Sequence, residues 1–292
     1  MIRSKQVVRV GLGLGAIALA AWWFLRPAEP SYRGKSLSYW LSPGAETSEE
    51  GVSAAFRAMG KKAVPHLVKK LRWKPSAFMQ KLKRHFPNSI PVMLYEQGGM
   101  DPRASAAHAL GEIGPAARTA IPELNAATAV SDLNSSWYVR MAVKAALIKV
   151  NQEPLAPYIE QLKNTSNIDQ WYQDAMMIGE LGTNASEAVP VLVSAISPTN
   201  HPVVQAHAAI ALGMIHSRPQ ICVPPLAQML KSPDVALRQK AIWALPRFGR
   251  AAKPAWNEIL HCLQDSDDYT RHTARDALKR IDPDAAKKEG IR

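Results

Sequence analysis

The chain has 292 residues, of which 47% are hydrophobic and 21% are charged, so it can bury a sizeable core and is not disordered as a whole. Aromatic residues make up only 7% and alanine is abundant, which favours closely packed helices over a β-sandwich. Two cysteines exclude a disulfide framework and a zinc site built from cysteines alone. The net charge of +12 indicates an anionic partner only if the charge is concentrated in one region.

Residues 1–27 are predicted to form an N-terminal signal anchor. Basic residues, the last of them Arg9, lie before the uncharged run of residues 10–25, which as a helix would span about 24 Å. Residues 7–25, with Arg9 snorkelling to the headgroups, would span about 28 Å, close to the roughly 30 Å of a bilayer core. The alternative is a cleaved signal peptide, because Ala18-Leu19-Ala20 has the small-x-small pattern of a cleavage site. We favour the anchor, since the sequence after that site stays apolar. Short basic N-termini usually stay inside, which predicts a single-pass membrane protein with the rest of the chain on the exported side.

The body of the chain, residues 51–282, repeats one theme. Apolar and small residues recur at i, i+3, i+4 and i+7, as on one face of a helix that a glycine then ends. A proline next marks the first turn of a second helix. The aligned apolar residues are separated by 54, 37, 31, 34, 33 and 33 residues, and the long first gap predicts an insertion at about residues 73–100. These aligned residues are Phe56, Leu110, Leu147, Ile178, Leu212, Leu245 and Leu278.

The pattern within these units resembles the HEAT-repeat family, including the HEAT-like repeats related to phycobilin lyase subunits. The matching features are the Ala109-Leu110-Gly111 step, the second-helix prolines and an Asp followed by an Arg at the start of an Ala-rich helix. The resemblance implies an all-α fold: a right-handed α-solenoid of about seven HEAT-like helix-pair repeats, preceded here by one transmembrane helix. It also implies that the Asp–Arg pairs link adjacent repeats as scaffold. The pairs in this sequence are Asp101 with Arg103, Asp234 with Arg238 and Asp267 with Arg271.

The segments that flank the array have simpler predictions. Residues 28–50 are predicted to be a linker that contains a short amphipathic element, which caps the first repeat by burying Leu37, Trp40 and Leu41. Residues 283–292 are predicted to be a polar C-terminal tail.

The excess charge lies mainly in the first repeat and its insertion. Residues 51–95 contain ten basic residues and no Asp or Glu, whereas the other 247 residues carry 26 basic and 24 acidic residues. This basic window predicts a surface for anionic lipid or an envelope polymer, although a merely solvated charged face fits the same pattern. Nucleic acid is an unlikely partner, because an exported array would not meet it. The predicted binding residues are Lys61, Lys62, Lys69, Lys70, Arg72, Trp73, Lys74, Lys81, Lys83 and Arg84.

Motifs that would indicate catalysis are missing. The sequence contains no GxxxxGK[ST], GxSxG or HExxH, so no catalytic residue, metal ligand or cofactor is predicted. His108 and His207 lie within Ala-rich helices, which favours packed or rim positions over a ligand role. Cys222 and Cys262 are interpreted as small buried residues, and the acidic cluster at residues 265–268 as a helix N-cap.

These observations predict a non-catalytic, membrane-anchored HEAT-repeat scaffold that mediates protein–protein interaction. Binding of anionic lipid or an envelope polymer through the basic first repeat is one alternative. A HEAT-like enzyme or enzyme accessory, of the lyase-type chaperone or DNA glycosylase kind, is another. A glycosylase would need an acidic residue inside a basic groove, and the basic window contains no carboxylate.

Overall fold

The computed structural model describes residues 29–42, 49–74, 101–128 and 137–291, and these are predominantly helical. A two-stranded antiparallel hairpin, β1 (Ser31–Tyr32) and β2 (Lys35–Ser36), leads into the short helix α1 (Leu37–Trp40). Leu37 and Trp40 are buried against α2 (Glu49–Met59), whereas Leu41, which was also predicted to be buried, is half-buried.

The described helices from α2 onward come in pairs, each with a longer first helix and a shorter second helix. The first helices are α2, α4 (Pro102–Ile113), α6 (Trp137–Asn151), α8 (Ile168–Glu180), α10 (Pro202–Ile215), α12 (Val235–Ala244) and α14 (Asp268–Ile281). The second helices are α3 (Val64–Leu71), α5 (Ile121–Thr128), α7 (Ala156–Asn164), α9 (Val189–Ala195), α11 (Pro219–Met229), α13 (Trp256–His261) and α15 (Pro283–Lys288).

The pairs stack through their first helices. Each first helix packs on the first helix of the next pair, from α2 on α4 through to α12 on α14. Helix α6 shows why a pair cannot be stable alone, because it buries Ala142 and Ala146 in one hydrophobic cluster and Ala145 and Ile148 in another. The predicted HEAT-like stack of helix pairs is therefore confirmed.

Glycines serve two different purposes in this stack. Gly114 and Gly249, which follow first helices, have φ values of +66° and +55° with ψ near −140°, a conformation that essentially only glycine adopts. Gly111 and Gly213 instead lie where neighbouring first helices touch. A Cβ at Gly213 would lie 2.9 Å from Cα of Ala244 on α12, so this contact requires a glycine.

Prolines mark most second helices as predicted, with one correction. Pro65, Pro122 and Pro190 lie in the first turns of α3, α5 and α9. The Val223-Pro224 step in the sequence predicts the start of a second helix, but α11 already begins at Pro219, and Pro224 lies inside it. Pro219, five residues earlier, supplies the favourable first turn instead.

The C-terminal residues continue the stack. Helix α15 packs on α14, buries Ala286 and is held by a 3.0 Å ion pair between Lys253 Nζ and Asp282 Oδ2. The indole Nε1 of Trp256 also donates a hydrogen bond to Glu289 Oε1 at 3.1 Å. The segment predicted as a polar tail thus contains a packed helix.

The described residues contain no helix that is both long and apolar enough to cross a bilayer. The predicted anchor in residues 1–27 lies outside the described part of the chain, as do residues 75–100 of the predicted insertion. Helix α4 nevertheless packs directly on α2 and α3, so the insertion does not separate the first two described pairs.

Candidate interaction surface

The basic window lies partly on a solvent-facing side of the first described pair. Lys61, Lys62 and Lys69 are exposed, whereas Leu67 and Leu71 of the same segment are buried. Lys74 is also exposed and Lys70 is half-buried. The structure therefore places five of the predicted lysines at or near one amphipathic second helix, with their charges accessible to an anionic partner.

Two other predicted binding residues hold the pairs together instead. Arg72 of the basic window forms an ion pair with Glu123 on α5. The guanidinium of Arg103, which pairs with Asp101, lies 5.9 Å from the centre of the Trp73 ring. These contacts join α3 to α4 and α5 across the insertion. The last three predicted residues, Lys81, Lys83 and Arg84, lie outside the described residues.

Apolar side chains that the sequence reasoning did not single out form a stripe across the outward faces of α8, α10 and α12. Val203 and Trp243 are each 37% exposed, and the other members are half-buried. We call this set the apolar stripe: Tyr172, Met176, Val203, Ile210, Met214 and Trp243. Met176, Ile210 and Trp243 all lie two residues before the aligned apolar residue of their unit, so the repeat alignment contained this signal.

Close contacts make the apolar stripe continuous from helix to helix. Met214 and Trp243 each lean over the glycine of the preceding first helix, where they would be 3.1 Å from an added Cβ. The ring centres of Tyr172 and His207 are 4.8 Å apart, and Trp137 of α6 lies edge-on to Tyr172 at 5.6 Å. His207 therefore packs within an aromatic row, which confirms the prediction that it is a rim residue.

A second local excess of positive charge includes the α10 and α12 part of this stripe, whereas α8 carries Asp169, Asp174 and Glu180 and no basic residue. Residues 188–257 contain seven basic residues and one acidic residue, Asp234, whose carboxylate accepts a hydrogen bond from the Ala236 amide at 2.8 Å as the N-cap of α12. This window is not visible in the net charge of all residues outside 51–95, because acidic residues elsewhere in the chain balance it. Lys240 lies on α12, and the guanidinium of Arg247 lies 3.9 Å from the centre of the Trp243 ring.

A polar cluster lies deeper in the first-helix layer. The imidazole Nε2 of His108 on α4 contacts the carboxylate of Glu180 on α8, although α6 lies between these helices. The contact passes over Ala142, Ala145 and Ala146, whose small side chains leave room for the imidazole. His108 is thus a partly buried bridge between helices, as its predicted packed position implies.

Charges around this bridge alternate in sign. Lys149 Nζ lies 2.8 Å from Glu112 Oε1, and both side chains are close to the His108 ring. Burial would lower the pKa of His108, but the carboxylate of Glu180 outweighs it, so the pKa is raised. Burial would likewise raise the pKa of Glu112, but Lys149 lowers it. Burial, together with the charge of Glu180, raises the pKa of the Tyr138 phenol.

The raised pKa of His108 predicts a pH-dependent contribution to stability. A histidine whose folded pKa lies above its unfolded value of about 6.5 stabilises the fold below that pH and stops doing so as the pH rises through the folded pKa. We expect His108→Gln to lower the free energy of unfolding by about 1 kcal/mol at pH 6, a figure reduced for the partial exposure of the imidazole, and by less at pH 9. Urea unfolding at both pH values measures this.

The control for that experiment is His272→Gln, because His272 is exposed and faces the exposed carboxylate of Asp276 at 3.6 Å. Its effect should be close to zero at both pH values. An effect of His108→Gln that is equal at pH 6 and pH 9 would contradict a stabilising charge on the imidazole.

The remaining candidate groups have structural positions. Cys222 and Cys262 are buried, as predicted, and burial raises the pKa of each thiol to about 11, which makes them poor nucleophiles at neutral pH. Asp267 caps α14 by accepting a 2.8 Å hydrogen bond from the Thr270 amide, also as predicted. No group of His, Cys, Asp and Glu residues suited to a metal ion occurs within residues 29–42, 49–74, 101–128 and 137–291.

The expected Asp–Arg links between repeats need two corrections, the first being that Arg271 forms an ion pair with Asp268 and not with Asp267. Arg238 does not pair with Asp234 of its own helix, but donates to both carboxylate oxygens of Asp265 at 2.6 and 2.8 Å. It therefore joins its own pair to the loop before α14. Arg103 and Asp101, in contrast, pair within the start of α4.

Comparisons with known proteins agree with the helical-repeat architecture. A family model described as HEAT repeats matches residues 223–289. No curated protein matches the chain in sequence. Three solved structures are similar at low TM-scores. One is human deoxyhypusine hydroxylase in complex with glycerol, at 17% identity over 83% of each chain and a TM-score of 0.39. Another is an engineered protein, at 19% identity over 78% of this chain and 92% of that chain, with a TM-score of 0.38. The third is the CpcE–CpcF complex of phycocyanin lyase from Nostoc sp. PCC7120, at 21% identity over 87% of this chain and 98% of that chain, with a TM-score of 0.36.

The prediction that this chain is not an enzyme is corrected by these structures. It was inferred from the repeat architecture and the missing motifs, yet two of the similar structures bear the names of enzymes.

Proposed function

We propose that this chain is a HEAT-repeat scaffold that binds a protein partner along the apolar stripe. The observation that carries the proposal is the row of accessible apolar side chains on three successive first helices, with Val203 and Trp243 each 37% exposed. Scattered exposed apolar residues need no explanation, but a continuous row across packed helices is typical of an interaction site.

The composition of the apolar stripe fits recognition of a protein. Aromatic residues and methionine are enriched in protein interfaces, and Met176 and Met214 can adjust their shape to a partner. Trp243 is held in place by the glycine contact on one side and by Arg247 on the other. An anchored tryptophan loses little conformational freedom on binding, which favours affinity.

A second candidate function is binding of anionic lipid or an envelope polymer by the exposed lysines of the basic window. The supporting observation is the accessible row of Lys61, Lys62 and Lys69 beside α3. In this proposal residues 7–25 anchor the protein as a single-pass membrane protein. About seven right-handed repeats then lie on the exported side, and the lysines face the headgroups.

One experiment tests both functions. A photo-crosslinking amino acid is placed at Val203, at Lys69 and at the exposed Asn257 of α13 as control, and full-length protein is irradiated in its native cells. We expect protein adducts at position 203 and none above background at position 257. Adducts at position 69 with lipid or polymer would support the second function. Equal labelling at positions 203 and 257 would overturn the first.

A further inference from the structure

The buried apolar side chains of the described residues form two separate hydrophobic clusters that meet at α6. Those before α6 all belong to the first cluster, and those after α6 all belong to the second. Helix α6 itself gives five buried residues to the first cluster and three to the second. The three are Met141, Ala145 and Ile148. The described chain therefore divides into an N-terminal part, residues 29–151, and a C-terminal part, residues 156–291.

The junction between these two parts has fewer supporting contacts than its neighbours. Helices α4, α8 and α12 are each followed by a 3-10 helical segment that packs on the first helix of the next pair. Helix α6 is followed only by the four residues 152–155, where Gln152 has a φ of +58°. Helix α6 also packs more extensively on α4 than on α8, and α8 packs more extensively on α10 than on α6. Short loops between packed elements are where hinges absorb changes in φ and ψ.

Two buried carboxylates of α8 face basic side chains of the N-terminal part across this junction. The side chains of Asp174 and Glu180 are 4% and 3% exposed. Lys144 Nζ lies 3.8 Å from Asp174 Oδ1, and His108 Nε2 contacts the Glu180 carboxylate. Because removing such charges from water costs about as much free energy as their attraction returns, these contacts fix the position of α8 without strongly stabilising it.

We infer that the array bends at residues 152–155, and that the His108–Glu180 contact holds the N-terminal and C-terminal parts in the closed arrangement of the structure. In the open arrangement α8 moves away from α6 on the side of His108, and water reaches the Glu180 carboxylate. The exposed lysines of the basic window lie on the N-terminal part, whereas the apolar stripe lies on the C-terminal part. The motion therefore changes the angle between the two candidate binding surfaces.

The closed arrangement depends on the charge of the His108 imidazole. The charged groups that face this ring are Glu180 of α8, Lys149 of α6 and Glu112 of α4, with Arg57 of α2 near Glu112. Burial would lower the pKa of His108, but Glu180 raises it above the usual value. The charged imidazole therefore favours the closed arrangement below about pH 6.5, and this preference is lost as the pH rises through the raised pKa.

The test is a distance between two spin labels on the full chain in detergent, measured by pulsed electron paramagnetic resonance. Labels on Thr119→Cys and Asn257→Cys, both at exposed positions, report across the junction. Labels on Asn184→Cys and Asn257→Cys report within the C-terminal part and are the control. The native cysteines are buried, so the added cysteines take the label. We expect the distance across the junction to change by at least about 5 Å between pH 6 and pH 9, and the control distance to stay constant. A rotation of about 10° gives this displacement at the end of three helix layers, which are about 27 Å thick.

His108→Gln should show the pH 9 distance at both pH values, because glutamine cannot supply a positive charge. The matched control is His272→Gln, which removes an exposed histidine and should respond to pH as the wild type does. A constant distance across the junction in the wild type, or an equal change in both label pairs, would overturn the inference. So would a pH response that persists in His108→Gln. Circular dichroism checks folding, and Glu180→Gln replaces His108→Gln if that variant does not fold.

Discussion

Replacing Arg238 with alanine is expected to lower the free energy of unfolding by about 3 kcal/mol, near the lower end for a broken buried ion pair. The side chains of Arg238 and Asp265 are only 12% and 7% exposed, and the guanidinium also donates to the carbonyl oxygens of Ser232 and Pro233. Without it, the Asp265 carboxylate loses its cationic partner and keeps the 3.0 Å hydrogen bond from the Asp267 amide, and the two carbonyls lose a donor, at the junction of two repeats. Chemical unfolding monitored by circular dichroism measures the change.

The same variant should respond differently to acid. Hydrogen bonds from Arg238 lower the pKa of Asp265 below its usual value. An acid whose folded pKa is depressed stabilises the fold above its unfolded pKa, about 3.9, and stops doing so as the pH falls towards the folded value. The free energy of unfolding of wild type should therefore exceed that of Arg238→Ala by the whole expected amount at pH 7, and this difference should decrease below about pH 4.

The control is Arg250→Ala, which breaks an ion pair between side chains that are 74% and 83% exposed. Such pairs contribute little, so the expected change is below about 0.5 kcal/mol. If Arg238→Ala and Arg250→Ala lower the free energy of unfolding equally, burial of the Arg238–Asp265 pair has no energetic consequence, contrary to our interpretation.

Gly213→Ala is expected to destabilise the protein by about 2 kcal/mol, within the range for overpacked sites. Alanine favours a helix over glycine by roughly 0.5–1 kcal/mol, so an unhindered replacement would stabilise α10. Here the added Cβ would lie 2.9 Å from both Cα and Cβ of Ala244, and 3.1 Å from the Trp243 ring. Backbone cannot move aside as a side chain can, so α10 and α12 must separate.

Gly179→Ala provides the matched comparison one repeat earlier. Its nearest neighbour would be the sulfur of Met214 at 3.1 Å, a flexible side chain, and the nearest backbone atom, Cα of Ala211, is 3.2 Å away. We expect the free energy of unfolding to fall by at least about 1 kcal/mol less than in Gly213→Ala, because the Met214 side chain can rotate away. Thermal and urea unfolding of both variants measure the order. A larger loss for Gly179→Ala would contradict the geometric argument.

The periodicity of the sequence predicted the helix pairs because each pair buries apolar residues at the same positions of its two helices. The aligned residues such as Leu110 and Leu212 are fully buried, and the glycine that follows a first helix has the expected backbone conformation at Gly114. These features depend on neighbours within one turn or one repeat, so they are visible in the sequence.

Contacts between pairs were not predictable in the same way. The partner of Arg238 is Asp265 in the next unit, not the Asp four residues before it, and His108 reaches Glu180 across an intervening helix. No sequence spacing marks such contacts. They depend on whether the side chains of the intervening helix are small enough for two longer side chains to meet above them. The outward position of Trp243 was also hidden, because Ala-rich first helices look equally apolar on their buried and exposed faces.

The junction around the insertion has a consequence for how this protein can change. Trp73 and Arg103 are separated by 29 residues along the chain, yet their side chains are in contact, and α4 packs on α3 as if the two were consecutive. The two described ends of the sequence between them therefore lie close together. Loop-closure entropy changes slowly with length, so residues can be added or removed there at small cost to stability. The length of the sequence between α3 and α4 can therefore change while the contacts between these two helices remain the same.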